Sequence, residues 1–421
     1  MTSTASPLAS YLQQQPDRRV TFAQYMEWAL YDPEQGYYSQ RVSLGKGGDF
    51  FTAAHLGPDF GELLAVQLAE MWQRLGQPQR FTVVEMGAGD GRMAADIVGC
   101  LERQFPACFG ALHYGIVERS PHLQQRQQAS LGPWLNSKDL DPKSSDPKSS
   151  DSKSLDPKSA KIRWYSWEEV PNLAVTGCFL SNELVDALPV HRVQVQGGQL
   201  QEVYVTWDEA RNQAIEVLDQ LSSPDLGQYF RDLGLDLRQA PYPEGYCTEV
   251  NLAARQWLQT VSQGLARGYV VTIDYGYEAD RYYQPSRTQG TLQAYTQHRR
   301  HNDPYAAPGH QDLTAHVNFT ALERWGEAVG LQRLGRVPQG FFLMALGVGD
   351  RLAALSDPAT APRSFAELLQ RRDALHQLID MSSNGLGKFE VLIQAKGLDS
   401  PENHSESILP PLKGLNLPPM V

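Results

Sequence analysis

Cysteine is scarce in this chain, with four among 421 residues. Cys100, Cys108, Cys178 and Cys247 form no C-x-x-C pair and hold no ligand spacing with the ten histidines, which argues against a zinc module, and no metal site is expected. They sit in apolar settings and read as reduced thiols of a reducing compartment. Long hydrophobic runs are missing too, so no membrane-spanning segment is expected. Met1 to Gln15 shows neither a secretory apolar core nor the arginine-rich character of a transit peptide. The expected location is therefore cytoplasmic, or the mitochondrial matrix in a eukaryote. Positive charge is in deficit: 37 Lys and Arg against 48 Asp and Glu give a formal net charge of -11. Such a balance disfavours a nucleic-acid partner, which needs a basic face, and suits a cationic peptide or protein steered inward.

One stretch organises what is present. Phe81-Thr-Val-Val reads as a buried strand that runs into Glu85, followed by glycines at 87, 89 and 91 and a helical run from Met93 to Leu101. A strand that stops at glycines and turns into a helix offers a ligand close approach to bare backbone and unpaired N–H groups. The dinucleotide fingerprint does the same with G-x-G-x-x-G, but Arg92 stands at its third glycine here. An acid two residues before the first glycine suits an ammonium-bearing ligand better than a pyrophosphate. A plain tight turn would use the same glycines.

Periodicity supplies the other elements. Thr21 and Gln24 are spaced as a capping box for a helix ending before Asp32-Pro33. A helix from Phe60 would bury Phe60, Leu63, Leu64, Leu68, Met71, Trp72 and Leu75 along one face. Strands are expected at 111–117, 178–181 and 269–273, with a hairpin at 190–205 around Gly197-Gly198. Helices are expected at 248–265, 320–329 and 364–379, a long loop at 281–313, and a closing strand pair near 341–346 and 389–393. Asp-Pro-Lys-Ser recurs at 141–144, 146–149 and 156–159, so residues 137–161 bury too little apolar area to offset their ordering entropy and read as a disordered insertion. The chain then divides into an N-terminal helical and lid region (1–76), a first core segment (77–136), that insertion, a second core segment (162–395) and a flexible tail (396–421). Insertions near 190–247 and 278–318 interrupt the second core segment. Strand–helix alternation gives an α/β class with a mainly parallel sheet and helices on both faces. Ligands of such sheets lie at the carboxyl ends of the strands, where Glu85, Glu118, Asn182-Glu183 and Asp274-Tyr275 all fall.

The glycine stretch resembles motif I of the class I S-adenosylmethionine-dependent methyltransferases. In chain order, Gly36-Tyr37-Tyr38, Gly48-Asp49-Phe50-Phe51-Thr52, Phe60-Gly61-Glu62-Leu63, Asn182-Glu183-Leu184-Val185-Asp186-Ala187-Leu188-Pro189-Val190, Asp274-Tyr275-Gly276, Gly290-Thr291-Leu292 and Val317-Asn318-Phe319 further resemble the MidA family. A mitochondrial member of that family is a complex I assembly factor that methylates arginine. The resemblance implies a Rossmann-like sheet with an N-terminal helical extension and inserted α/β elements, and S-adenosyl-L-methionine as cofactor. Glu85 and the backbone of Gly87, Gly89 and Gly91 would hold the amino-acid end of the cofactor and Glu118 its ribose hydroxyls. Asn182 would line it, and the loop carrying Asp49 would close over it. Glu183 would be the carboxylate that polarises an acceptor guanidinium, with Asp186 sharing its face; Asp274 and Tyr275 would orient the substrate. Ala88 and Asp90 stand where the family commonly has proline and arginine, and Leu184-Val185 where it often has two phenylalanines. The implied partner is an arginine-bearing protein of the NADH dehydrogenase-subunit kind. Methylation of a small-molecule oxygen or nitrogen, and a non-catalytic assembly factor using the same pocket, are the alternatives. Bland roles also stand: Glu118 as a capping acid or a partner for Arg119, and Asn182 and Glu183 as helix caps; the basic run His298-Arg299-Arg300-His301 reads as a solvated loop, with substrate contact as its alternative.

Overall fold

The computed structural model describes residues 6–40, 52–135, 161–296, 299–357, 364–382, 385–398 and 410–416. Seven strands form its central sheet: β1 (Phe81–Met86), β2 (Leu112–Val117), β3 (Ile162–Tyr165), β4 (Val175–Asn182), β5 (Leu265–Asp274), β6 (Gln332–Pro338) and β7 (Glu390–Lys396). Their spatial order is β3-β2-β1-β4-β5-β7-β6. Strands β1 to β5 are parallel, and β7 runs antiparallel to both β5 and β6. The chain lays β2 and β3 outward on one side of β1, then returns to set β4 on the other. The order therefore reverses between β1 and β4, which opens a crevice at their carboxyl ends.

Alternation along the strands decides which helices cover which face. Val83, Cys178, Leu180, Val271 and Ile273 point to the side packed by helices Asp59–Arg74 and Arg92–Gln104. Their neighbours Val84, Phe179 and Val270 point the other way, against Trp257, Leu258 and Leu322 of helices Leu252–Gly264 and Phe319–Ala328. Each of these buried side chains contributes about 2 kcal/mol, so strand register is held firmly from both faces. At the N-terminus the capping box forms as spaced. Gln24 N–H donates to Thr21 Oγ1 (3.2 Å) while Thr21 N–H donates to Gln24 Oε1 (2.9 Å).

A second sheet sits beside the first, centred on Gln199–Asp208, which pairs with Arg19–Thr21, His191–Gln196 and Gln213–Asp219. Its edge strand, Cys247–Val250, corrects the expected helix over 248–265. The helix begins only at Leu252, after Asn251 accepts the Ala254 N–H as its cap. The expected loop over 281–313 contains a small sheet of Gln293–Thr296, Arg299–His301 and Asp312–Thr314. The expected strand near 341–346 is instead the helix Gln339–Leu346. The strand lies just upstream and ends at Pro338, and the run of Leu, Met and Ala that follows is a good helix former closed by Gly347. The tail expected to be loose returns to the core at 410–416: Leu412 is buried, Gly414 N–H donates to Gln67 Oε1 (2.9 Å), and Arg74 donates to the carbonyls of Pro410 and Pro411. The Asp-Pro-Lys-Ser repeats lie outside the described residues. Among the described residues no helix is long and apolar enough to cross a membrane, and no cluster of metal-ligating side chains occurs.

Candidate active site

The carboxyl edge of the sheet opens into a cavity of about 2770 Å³. It begins at Thr52, His55 and the glycine turn, passes the ends of β1, β2 and β4, and continues to Tyr275 and Tyr277 and then Thr291.

At the crevice, Gly87, Gly89 and Gly91 hold φ values of +73°, +54° and +81°. This left-handed backbone favours glycine, and space adds a second constraint. A Cβ on Gly87 would stand 2.9 Å from Leu184 Cδ1, and one on Gly91 would stand 3.1 Å from Gln127 Cα. Glu85, at the end of β1, is buried and accepts the Tyr114 hydroxyl at 2.7 Å. Burial pushes its carboxyl up to about 7; the Tyr114 bond opposes the rise, and Glu118 and Asp90 add to it. Glu118, just past β2, is also raised to about 7 by burial, against hydrogen bonds from Ser120 N–H (2.9 Å) and Gln127 Nε2 (3.1 Å). Both acids border the cavity with no cation paired to them among the described ion pairs.

Two stabilising groups escape sequence reasoning. Gln127 is fully buried; its Nε2 donates to Gly89 O (2.9 Å) and to Glu118, and its Oε1 accepts Trp164 Nε1–H (2.8 Å). One amide thus ties the glycine turn to the acid on the next strand. Nothing marked it, since it lies in a glutamine-rich run, Gln124-Gln-Arg-Gln-Gln128. Asp90 faces Arg92 Nε at 2.9 Å and His55 Nε2 at 3.5 Å. Burial pushes its carboxyl up, but His55 and Arg92 outweigh that and hold it below the usual range. Asp90 therefore stays ionised and pins the turn Ala53–His55 to the glycine loop.

The second cluster lies where β4 ends. Asn182 is paired with Ile273 of β5, and Glu183 donates its N–H to the Ile273 carbonyl at 2.9 Å. Glu183 has a φ of +50°. A glutamate pays about 1–2 kcal/mol to sit there, and strain of this kind gathers at working sites. Asn182 Nδ2 donates to Glu183 Oε1 (3.2 Å), while Asn182 Oδ1 is buried without a hydrogen-bond partner. Burial and then the neighbouring Asp186 push Glu183 up to about 8. Asp186 rises to about 6 through burial, with the Tyr275 hydroxyl opposing, and its Oδ1 has no partner. Among the described residues no cation acts on either acid. Glu183 and Asp186 both border the cavity, joined by the short turn Val185–Ala187.

Asp274 is turned inward. It is fully buried and does not border the cavity; Oδ2 accepts Val185 N–H (2.9 Å) and Asp186 N–H (3.2 Å), and Oδ1 accepts Tyr275 N–H (2.9 Å). Its carboxylate orients the turn that carries Asp186, and of the pair expected to meet substrate only Tyr275 borders the cavity. Asp49 lies outside the described residues. The remaining expected positions, Glu85, Gly87, Gly89, Glu118, Asn182, Glu183 and Asp186, meet around one hollow, with Gly91 closing the turn behind it.

Comparison with known proteins finds a matching family model, curated relatives and a similar solved structure. A family model for S-adenosyl-L-methionine-dependent methyltransferases matches residues 63–337. A mouse relative, the mitochondrial protein arginine methyltransferase NDUFAF7, is 31% identical over 363 residues, covering 85% of this chain and 77% of its own length. The Drosophila melanogaster homologue is 29% identical, covering 80% and 73%. A crystal structure from Burkholderia thailandensis, a COG1565 superfamily member bound to S-adenosyl-homocysteine, superposes with a TM-score of 0.76 at 30% identity, covering 95% of this chain and 96% of its own.

Proposed function

The chain belongs to the MidA family of S-adenosyl-L-methionine-dependent methyltransferases, and we propose that it methylates an arginine side chain of a protein partner. S-adenosyl-L-methionine is the cofactor, and when bound it supplies an electrophilic methyl group carried on a sulfonium. The residues at the crevice suit it. Glu85 offers a carboxyl to an ammonium group, the glycine turn offers bare backbone, Glu118 can accept from two vicinal hydroxyls, and the orphaned Asn182 Oδ1 lacks only a donor.

The observation that carries the arginine reading is the pair Glu183 and Asp186, two raised carboxyls at the cavity wall on which no cation acts among the described residues. A guanidinium is always protonated near neutral pH and is a poor nucleophile. Carboxylates that accept its N–H groups draw positive charge to one side and leave electron density on the attacking nitrogen. One proton must also leave the guanidinium as the new N–C bond forms. A carboxyl poised near neutrality, as Glu183 is, can take it. The width of the cavity supports a polypeptide acceptor, since small-ligand pockets run to about 300–1,000 Å³. The names of the mouse and fly relatives support the same substrate class.

Radiolabelled methyl transfer into a cell extract, with acid hydrolysis of the labelled protein, tests this: the label should appear in methylarginine, first of all on subunits of an NADH dehydrogenase-like complex. Glu183→Gln should abolish transfer and keep affinity for S-adenosylhomocysteine. Label confined to small molecules would replace the protein substrate with a small one. Tight product binding with no transfer to any acceptor would make the protein an assembly factor.

A further inference from the structure

Across the cavity from the acids, the same wall turns basic in a chain that is acidic overall. Tyr277, three residues past the end of β5, carries Arg281 and Arg287 over its ring at 4.5 and 4.6 Å and stacks on His316 at 5.0 Å. Arg300 and Lys388 border the cavity with them. The nearby acids Glu278 and Glu390 are held by Arg336, which also takes Glu323. Asp380 acts on Lys388. No described ion pair involves Arg281, Arg287 or Arg300. The His316 ring is partly buried within this group, and among the described residues its Nδ1 has no hydrogen-bond partner. Burial, and then Arg287, Lys388 and Arg300, lower the imidazole to about 4. Three cations thus crowd one ring, an arrangement that a bound anion would relieve.

Strand register sets how far the Lys388 end of this basic wall lies from the acidic one. Asn182 of β4 pairs with Ile273 of β5, and Asp274 of β5 pairs with Glu390 of β7. Lys388 and Phe389 thus stand at the same edge as Glu183, two strand spacings away, and Phe389 packs on Tyr275 at 5.4 Å. Two spacings are about 10 Å, which an extended chain covers in about three residues.

We propose that Arg281, Arg287 and Arg300 bind an acidic side chain of the substrate polypeptide, placed about three residues from the arginine held by Glu183 and Asp186. This rests on the arginine reading and adds the substrate's sequence class. A cation in one half of the cavity and an anion in the other fix the direction of the bound chain, and a peptide entered backwards would set like charges together.

The test uses decapeptides with a single central arginine, one glutamate moved from one to six positions away on either side, and neutral residues elsewhere. Methyl transfer is measured for each, and binding is followed by fluorescence anisotropy with S-adenosylhomocysteine present. Glutamate about three residues away, on one side only, should improve kcat/KM over its glutamine counterpart by about tenfold, the size of two partly exposed ion pairs together. The gain should lie in KM. Arg281→Gln with Arg287→Gln should erase the difference between the two peptides, with product binding by calorimetry showing that the variant is folded. Arg281→Glu with Arg287→Glu should transfer the preference to lysine at that position. Equal affinity and equal transfer at every offset would overturn the proposal while leaving arginine methylation standing. If no arginine peptide is methylated, the arginine reading fails, and the anisotropy series still decides the basic wall by itself. Binding of phosphoserine peptides without regard to offset, or displacement by an oligonucleotide, would assign the wall to another ligand.

Discussion

Glu183→Gln should make the cofactor-free protein more stable at alkaline pH while destroying its activity. In the folded chain the Glu183 carboxyl titrates at about 8, against an ordinary 4.5. Between those values the folded state holds a proton that the unfolded state has released, so stability falls as pH rises through the interval. At about 1.4 kcal/mol for each pKa unit, the full difference has an upper bound of about 5 kcal/mol. Solvent reaching the partly exposed carboxyl reduces this to about 2 kcal/mol. Glutamine keeps the shape and the bond with Asn182 without the charge. Urea melts of the two proteins, free of cofactor, should therefore agree at about pH 4 and separate by about 2 kcal/mol at about pH 8.5, the variant being the more stable. The burial of Glu85 and Glu118, each near 7, adds to the alkaline loss in both proteins and cancels from the difference. A variant that loses stability equally at both pH values would show that Glu183 serves as a structural cap, and the argument for a waiting cation site would fall with it.

Two further substitutions probe the cofactor half. Gln127→Leu strands the Trp164 N–H, the Gly89 carbonyl and one oxygen of Glu118, so urea denaturation should show a loss of about 3 kcal/mol, and calorimetry a weaker S-adenosylhomocysteine affinity. Gly87→Val must accept a φ of +73° and a Cβ 2.9 Å from Leu184 Cδ1. It should lower that affinity by more than about tenfold with a stability loss of about 1–2 kcal/mol; an unchanged affinity would move the ligand away from the glycine turn.

What the sequence discloses depends on how its chemistry is distributed. The acid half of the site is written at strand ends. Glu85 follows the buried strand residues Phe81-Thr-Val-Val84, Glu118 follows Ile116-Val117, and Asn182-Glu183 follows Cys178-Phe-Leu-Ser, so strand periodicity and parallel order suffice to bring them together. Short apolar runs misled because period alone cannot separate strand from helix: 341–346 has the composition of a buried strand and forms a helix once Pro338 closes β6. Asp274 is legible as an acid at a strand end, but its direction is set by the N–H groups of Val185 and Asp186, far away in sequence. The basic half is written only in part, in the run His298-Arg299-Arg300-His301. Arg281 and Arg287 share the ring of Tyr277 and lie in the same insertion as Arg300, whereas Lys388 belongs to the turn before β7 and reaches them only through the fold. Strand tips carry chemistry common to any ligand of such a sheet, whereas under the proposal above the insertions folded over them would decide which polypeptide can enter. Substitutions at Arg281 and Arg287 should accordingly change which arginine peptides are accepted, and substitutions at Glu183 whether any is methylated.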